Sequence, residues 1–185
     1  MGSRFVIHET SIQGVMLIDV LPIVDDRGSF FRVYCEKEFS EKGMSSHFVQ
    51  INQSINLKKG TFRGLHYQKG PYGEDKMVKC IRGSIKDYFL DLRKDSSTFM
   101  QYGMIELSED NHRMIYLPKG IAHGFTTLED NTHLMYYHTQ FFVPEAQATI
   151  NHADPKVELD LSETIRFVSP KDKNAPFLPD DFSGF

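Results

Sequence analysis

Short runs of β-forming residues recur along almost the whole chain, and this recurrence limits the fold more than any other feature of the sequence. The runs are rich in Ile, Val, Phe, Tyr and Thr, and they include GVMLIDV, SFFRVYC, TFRGLHYQ, YGMIEL, RMIYLP and IAHGFTTL. Turn-forming stretches such as DDRG, KKG, KGP and PKG separate them. Many short strands between regular turn signals are typical of an antiparallel sandwich or barrel. The sequence therefore predicts an all-β fold.

Among such folds we expect the cupin-type double-stranded β-helix, or jelly-roll, with a few short helices. Inward-facing side chains line the mouth of such a barrel, and binding sites form there. The stretch EKEFSEKG predicts the one clear helix, with Gly43 ending it. From about Pro170 onward the tail is rich in Pro, Asp and Lys, which predicts irregular structure draped over the body. A chain of 185 residues fits a single domain covering residues 1–185.

Charge, hydropathy and cysteine content exclude several classes of partner. The formal net charge of -4 gives no basic field for a nucleic acid polymer. No apolar run approaches the roughly 20 residues that a membrane helix needs, and the N-terminus lacks a signal pattern. Cys35 and Cys80 form no CxxC pair and no disulfide framework. We therefore expect a reduced, cytoplasmic protein with no membrane partner.

The stretch RGLHYQ places His66 on a predicted strand, where a histidine has more than one use. A cupin metal site usually draws on an H-x-H pair, but His66 is followed by Tyr67 and Gln68. PKGIAHGF supplies a distant His123, which leaves the ligand set of a catalytic metal incomplete. A packed, hydrogen-bonded core residue is the commoner fate of a strand histidine. That interpretation applies equally to single histidines elsewhere: His123, His133 and His138.

A general base is the third interpretation of His66, and its charged neighbours favour it. Arg63 lies three residues before His66. Residues at odd spacing face opposite sides of a strand, unless a bulge at Gly64 realigns them. Lys76 and Arg82 follow, and Arg or Lys side chains at a barrel mouth suit a phosphate or diphosphate. A histidine that titrates near neutral pH beside such cations suits proton abstraction.

Several long motifs together resemble the dTDP-4-dehydrorhamnose 3,5-epimerase family. They are DDRGSFFR, FVQINQS, KGTFRGLHYQ, KMVKCIRGSIKDYFLDLRKDSSTF, LPKGIAHGFTTL, MYYHTQFFVP and VSPKDKNAPFL, in the order expected from about Ile12 to Leu178. The resemblance implies a cupin-like homodimer that needs no metal and no cofactor. It also implies an isomerase of deoxysugar biosynthesis, whose substrate is a nucleotide-diphosphate-linked 4-keto-6-deoxyhexose.

The resemblance further implies a role for each matched residue. His66 matches the base, and Asp172 in SPKD matches the carboxylate that orients it. Tyr136 matches the residue that returns a proton from the opposite face of the sugar. Lys76 matches a cation near the keto oxygen, where it stabilises the enolate. The positions that match substrate-binding residues are Arg27, Gln50, Asn52, Arg63, His123 and Lys171. In dimers of the family, the Arg27 region typically reaches the partner's site.

The chain departs from the family pattern at positions around the nucleoside and sugar. Arg32 stands where a glutamate is common, and Phe142 where a tyrosine is common. Ile23 replaces a bulky aromatic residue, and Gln147 an acidic one. These departures leave open whether C3, C5 or both are inverted, and whether the nucleotide is dTDP or another such as CDP. A 3,4-ketoisomerase and a non-catalytic sugar-binding or metal-binding cupin are the competing classes.

Overall fold

Fourteen strands and three short helices make up the regular structure in the computed structural model, which describes residues 3–161 and 165–185. The helices are α1 (Glu36–Ser40), a 3₁₀ helix (Gly70–Tyr72) and α2 (Pro170–Lys173). The strands are β1 (Phe5–Glu9), β2 (Met16–Val20), β3 (Ile23–Asp25), β4 (Gly28–Phe30), β5 (Gln50–Asn56), β6 (Thr61–Gln68), β7 (Lys76–Arg82), β8 (Ser84–Asp91), β9 (Tyr102–Ser108), β10 (Arg113–Leu117), β11 (Ile121–Thr127), β12 (Thr132–His138), β13 (Gln147–Thr149) and β14 (Phe167–Val168).

Two large antiparallel sheets carry most of the strands. The first sheet has the order β1-β2-β10-β7-β12-β5, and the second has the order β13-β6-β11-β8-β9. β14 adds to β6 in parallel, and β3 with β4 forms a separate hairpin. Neighbours in each sheet are mostly distant in sequence, as in a jelly-roll. The predicted all-β, cupin-type fold is confirmed.

Alternation along the strands divides the apolar side chains between the inside and the outside of the barrel. On β7, Val78 joins the cluster between the sheets, whereas Met77 joins the cluster that packs under α1. On β8, Phe89 joins the inner cluster, and Leu90 joins the outer cluster that the C-terminal tail covers. Side chains two residues from an inward position also point inward. This periodicity decides which polar residues can reach a site inside the barrel.

A bulge in β6 turns Arg63 and His66 to the same side of their strand. His66 pairs with His123 of β11, and Arg63 pairs with Phe125, so an interval of three residues on β6 lies opposite an interval of two residues on β11. Gly64 allows the irregularity because its φ is +139°, and a Cβ there would lie 2.5 Å from the Cα of a β11 glycine. Arg63 and His66 consequently line one cavity, as the bulge interpretation required.

The helices and the tail refine the prediction at the chain's ends. Helix α1 falls within the predicted EKEFSEKG segment, and Gly43 follows it with φ +72°. The tail covers the second sheet, where Leu178 and Phe182 pack on the outer cluster. It is not irregular throughout, because Pro170–Lys173 forms α2. None of the helices in the described residues is long and apolar enough to cross a membrane.

A buried carboxylate organises the loop after β8. Asp91 accepts hydrogen bonds from the Arg93 guanidinium and from the hydroxyls of Ser96 and Thr98, at 2.5 to 2.8 Å. Burial alone would raise the pKa of Asp91, but these donors outweigh it and lower the pKa to about 2. Asp91 therefore acts in the structure of this loop and contributes to stability.

Candidate active site

A cavity of about 600 Å³ opens between the two sheets, near the start of β7 and the end of β12. Both sheets contribute polar side chains to it, so a ligand in the cavity would be held between two facing walls. Its lining includes Asn52, Gln53 and Ser54 from β5, Arg63, His66, Tyr67 and Gln68 from β6, Glu74 and Lys76 at the start of β7, His123 and Phe125 from β11, Tyr136 and His138 from β12, and Phe142 and Gln147 beyond them.

His66 and Asp172 lie together on the wall formed by the second sheet. His66 Nε2 is 2.7 Å from Asp172 Oδ1, and the backbone N–H of Gly64 donates to Asp172 Oδ2 at 3.4 Å. Burial would raise the pKa of Asp172, but the hydrogen bond and charge of His66 outweigh it and lower the pKa. The carboxylate is therefore ionised at neutral pH and holds the proton on Nε2. Nδ1 of His66 remains as the nitrogen that can take a proton.

A single helical turn places Asp172 against the barrel. Ser169 is the N-cap of α2, and its hydroxyl oxygen accepts the Asp172 N–H at 3.0 Å. Pro170 occupies the first turn, where its missing N–H costs nothing. The Asp172 side chain is only 5% exposed, whereas His66 is 31% exposed. The buried carboxylate thus orients a histidine that a ligand can still reach.

Tyr136 lies on the opposite wall, within a network of polar residues. Its hydroxyl is 3.0 Å from Ser54 Oγ, which in turn accepts from Asn56 Nδ2 at 3.2 Å. Arg63 Nε donates to Asn56 Oδ1 at 2.8 Å and closes the network from the other sheet. Burial raises the pKa of Tyr136 well above its ordinary value, so the phenol is protonated at neutral pH. Tyr136 therefore carries its proton before the reaction and cannot take one from a substrate.

Lys76 belongs to a second charged group on the first sheet. Its ammonium lies 3.2 Å from Glu74 Oε1, and His138 Nδ1 lies 2.7 Å from Glu74 Oε2. Lys76 and His138 are direct register partners on β7 and β12. Burial would raise the pKa of Glu74, but the hydrogen bond from His138 and the charge of Lys76 lower it below the ordinary value. Glu74 is therefore an ionised carboxylate between two donors.

His123 forms a second histidine–carboxylate pair on the second sheet. Its Nε2 is 2.7 Å from Asp87 Oδ2, and the two side chains are 5% and 0% exposed. Burial raises the pKa of Asp87, and the charge of His123 opposes that rise. Asp87 Oδ1 makes no hydrogen bond within the described part of the chain. Period-two alternation explains the pairing, because Asp87 and His123 both occupy inward positions on adjacent strands.

The remaining predicted residues divide into those near the cavity and those away from it. Gln50 accepts the backbone N–H of Phe142 at 3.2 Å, and Lys171 donates to Gln147 at the rim. Arg27 does not line the cavity of its own chain; it lies at the exposed tip of the β3–β4 hairpin and pairs with Asp25. Arg27, Gln50 and Lys171 thus do not line the cavity themselves, but Gln50 and Lys171 contact residues that do.

Two other basic residues that the sequence singled out lie outside the cavity. Arg32, at a position of family departure, pairs with Glu38 of α1 at 2.8 Å and does not line the cavity. Arg82, at the far end of β7, is exposed and does not line the cavity. The cluster of basic residues that we expected at the mouth is therefore smaller, consisting of Arg63 and Lys76.

Sequence reasoning missed several polar residues that the cavity brings together. His138 follows Tyr136 by two residues on β12, and this spacing alone would have put both on one face. Ser54 follows Asn52 by two residues on β5, so the same alternation places it on that face, whereas Glu74 precedes β7 and has no such local signal. In residues 3–161 and 165–185, no three His, Cys, Asp or Glu side chains are grouped as a metal would require.

Within this cupin-type jelly-roll, the cavity brings a histidine–carboxylate pair and a tyrosine to facing walls. A model of the family described as dTDP-4-dehydrorhamnose 3,5-epimerase matches residues 9–180. The dTDP-4-dehydrorhamnose 3,5-epimerase of Methanothermobacter thermautotrophicus is 37% identical over 175 residues, covering 92% of each chain. The chain therefore belongs to the dTDP-4-dehydrorhamnose 3,5-epimerase family.

Solved structures of family members superimpose closely. The Bacillus anthracis dTDP-4-dehydrorhamnose 3,5-epimerase, with TDP and PPi bound, gives a TM-score of 0.91 at 36% identity and covers 94% of this chain and 99% of its own. A 3'-monoepimerase from Streptomyces bikiniensis in complex with dTDP-quinovose gives 0.86 at 27% identity, covering 92% and 86%. Similar structures thus include proteins named for inversion at two centres and at one.

Proposed function

We propose that the chain epimerises a nucleotide-linked 4-keto-6-deoxyhexose of the dTDP type, at C3, C5 or both. The C4 ketone acidifies the hydrogens on C3 and C5, because loss of either proton gives an enolate. Inversion requires removal of a proton from one face and its return to the other. The observation that carries the proposal is that His66 and Tyr136 line one cavity from different sheets.

His66 Nδ1 removes the proton in this mechanism, and Asp172 stabilises the imidazolium that results. Positioned general bases contribute about 10² to 10⁴ in rate. Lys76 stabilises the negative charge that develops on the enolate oxygen, inside a cavity where water screens it less. Tyr136 then protonates the carbon from the opposite face. A single base acting alone would tend to restore the original configuration.

Other polar residues in and near the cavity bind the substrate in this proposal. Arg63 offers a planar fork of donors that suits the diphosphate, and Gln50, Asn52, His123 and Lys171 match further substrate-binding positions. Two observations suit a dimer: Arg27 does not line its own cavity, and Ile23, Val24 and Phe30 of its hairpin are exposed. The protein is proposed to be a cytoplasmic homodimer in which Arg27 completes the partner's site, with no cofactor.

Incubation with dTDP-4-keto-6-deoxyglucose in heavy water tests the proposal. NMR of the product reads deuterium at C3 and C5 separately. The proposal predicts solvent label at each inverted carbon, and a substrate that stays unlabelled at both would refute it. The CDP-linked sugar, incubated in parallel, tests which nucleotide the enzyme accepts. A carbonyl at C3 of the product would instead identify a 3,4-ketoisomerase.

Inversion at a single centre is the second candidate, and the observation that favours it is Phe142. This side chain lines the cavity without a hydroxyl group, at a position where the family commonly has a tyrosine. With one fewer proton donor, one of the two carbons would lack an acid on the appropriate face. Label at only C3 or only C5 in the same experiment selects this candidate.

A further inference from the structure

A polar network in the cavity contains two residues, Glu74 and His138, that have no role in the mechanism above. It runs from Lys76 through Glu74 and His138 to Asn52, with the Asn52 amide Nδ2 lying 3.3 Å from His138 Nε2. The Lys76, Glu74 and His138 side chains are 10 to 12% exposed, so the three charged or titratable groups share one buried volume. Such a group is stable only when every member has a partner.

The direction of each hydrogen bond follows from the charge on Glu74. Because the carboxylate can only accept, Nδ1 of His138 must carry a proton and donate it. In the neutral ring Nε2 is then an acceptor, and Asn52 presents its NH₂ group to the histidine and its oxygen away from it. In the protonated ring Nε2 becomes a donor, and the Asn52 amide must turn over. The charge on His138 therefore selects which atom of Asn52 is available to a ligand.

We propose that Glu74 and His138 are positioning residues of the active site. Glu74 holds the Lys76 ammonium in place, and His138 fixes the orientation of the Asn52 amide toward the substrate. The pair lies on the wall opposite His66 and is distinct from the pair that takes the proton. This inference rests on the proposed function, because it assigns the pair to the same substrate.

The groups that face His138 come from three strands and one loop. Glu74 precedes β7, Lys76 begins it, Asn52 lies on β5, and Tyr136 stacks on the His138 ring at 6.2 Å between centroids. Loss of the His138 ring would leave Glu74 bonded to Lys76 alone. The lysine's charge would then be more fully neutralised and less able to stabilise an enolate.

Two substitutions at His138 separate positioning from simple packing. His138→Ala removes both hydrogen bonds, and we expect KM to rise and kcat to fall, together lowering kcat/KM about tenfold or more. His138→Gln keeps an N–H for Glu74 and an oxygen for Asn52, but it cannot be protonated. It should restore kcat/KM to within about threefold of wild type.

His133→Ala is the matched control, because His133 lies on the same strand, outside the cavity. We expect its kinetic constants to equal those of wild type. Wild-type kcat/KM in His138→Ala would overturn the proposal. Equal losses in His138→Ala and His138→Gln would also overturn it, since they would mean that only the ring's shape matters.

A measurement without substrate separates this proposal from the proposed function. Nitrogen-15 NMR of the His138 ring should show the neutral form protonated at Nδ1 in the full chain, and this preference should be lost in Glu74→Gln. A neutral ring protonated at Nε2 would overturn the network, whatever the activity. A wild-type protein that never turns over the keto sugar would refute the epimerase function. The NMR result would still decide whether His138 donates its Nδ1 proton to Glu74.

Discussion

Replacing Asp172 by asparagine removes the charge behind His66 with almost no change in shape. The two Asp172 oxygens accept from His66 Nε2 at 2.7 Å and from the Gly64 N–H at 3.4 Å. Asparagine has one oxygen and one NH₂ group for these two donors. If the NH₂ group faces His66, Nε2 must accept, and the ring proton moves to Nδ1. The nitrogen that should take the substrate's proton is then blocked.

The expected loss follows from these contacts. A hydrogen bond to a charged group is worth about 1.5–3 kcal/mol, and holding the unproductive tautomer adds a further cost. A total of about 3–5 kcal/mol in the barrier corresponds to about 10² to 10⁴ in kcat. NMR of product formation measures it directly, with circular dichroism to confirm that Asp172→Asn is folded.

Asp19→Asn provides the matched control for Asp172→Asn. Asp19 pairs with His8 at 2.8 Å on the surface, where the His8 side chain is 48% exposed. This control should keep the wild-type rate, because a surface pair far from the cavity contributes nothing to proton transfer. A kcat for Asp172→Asn within threefold of wild type would refute the orienting role of the carboxylate.

Three further substitutions test other parts of the structure. In Tyr136→Phe, His66 should still exchange the substrate's hydrogen with solvent, but the configuration of the carbon should be retained. NMR should therefore show deuterium in the substrate without inversion. Gly64→Ala should lower the free energy of unfolding, measured in urea, by at least about 2 kcal/mol, because φ at Gly64 is +139° and the new Cβ would meet Gly124. An unchanged urea midpoint of unfolding would contradict this. The pKa of Asp91 is lowered to about 2, so its contribution of about 2 kcal/mol is present above pH 4 and lost as pH falls through 2. Asp91→Asn should remove that part of the acid dependence.

The fold was predictable because its signals are local. Alternation with period two and frequent turn residues identify strands wherever they lie in the sequence. The start of α2 also has a local signal, since Ser169 caps it and Pro170 follows. The polar composition of the tail outweighed that signal, so the predicted irregular structure was wrong for this turn.

The site was less accessible to sequence reasoning because its partners are distant along the chain. His66 and Asp172 are separated by 106 positions, and no spacing rule joins them; only the likeness of SPKD to a family motif did so. The contact of Glu74 with His138 depends on the register between β7 and β12. Register is set by the whole sheet, so no local pattern encodes it.

Solvent-deuterium incorporation by His66→Ala tests the mechanism most directly. Wild type and His8→Ala, which removes a surface histidine of the His8–Asp19 pair, are compared with it on dTDP-4-keto-6-deoxyglucose in heavy water. The mechanism predicts that the rate of label entry falls about 10² to 10⁴-fold in His66→Ala and is unchanged in His8→Ala. Label entering at the wild-type rate in His66→Ala would show that another group removes the proton.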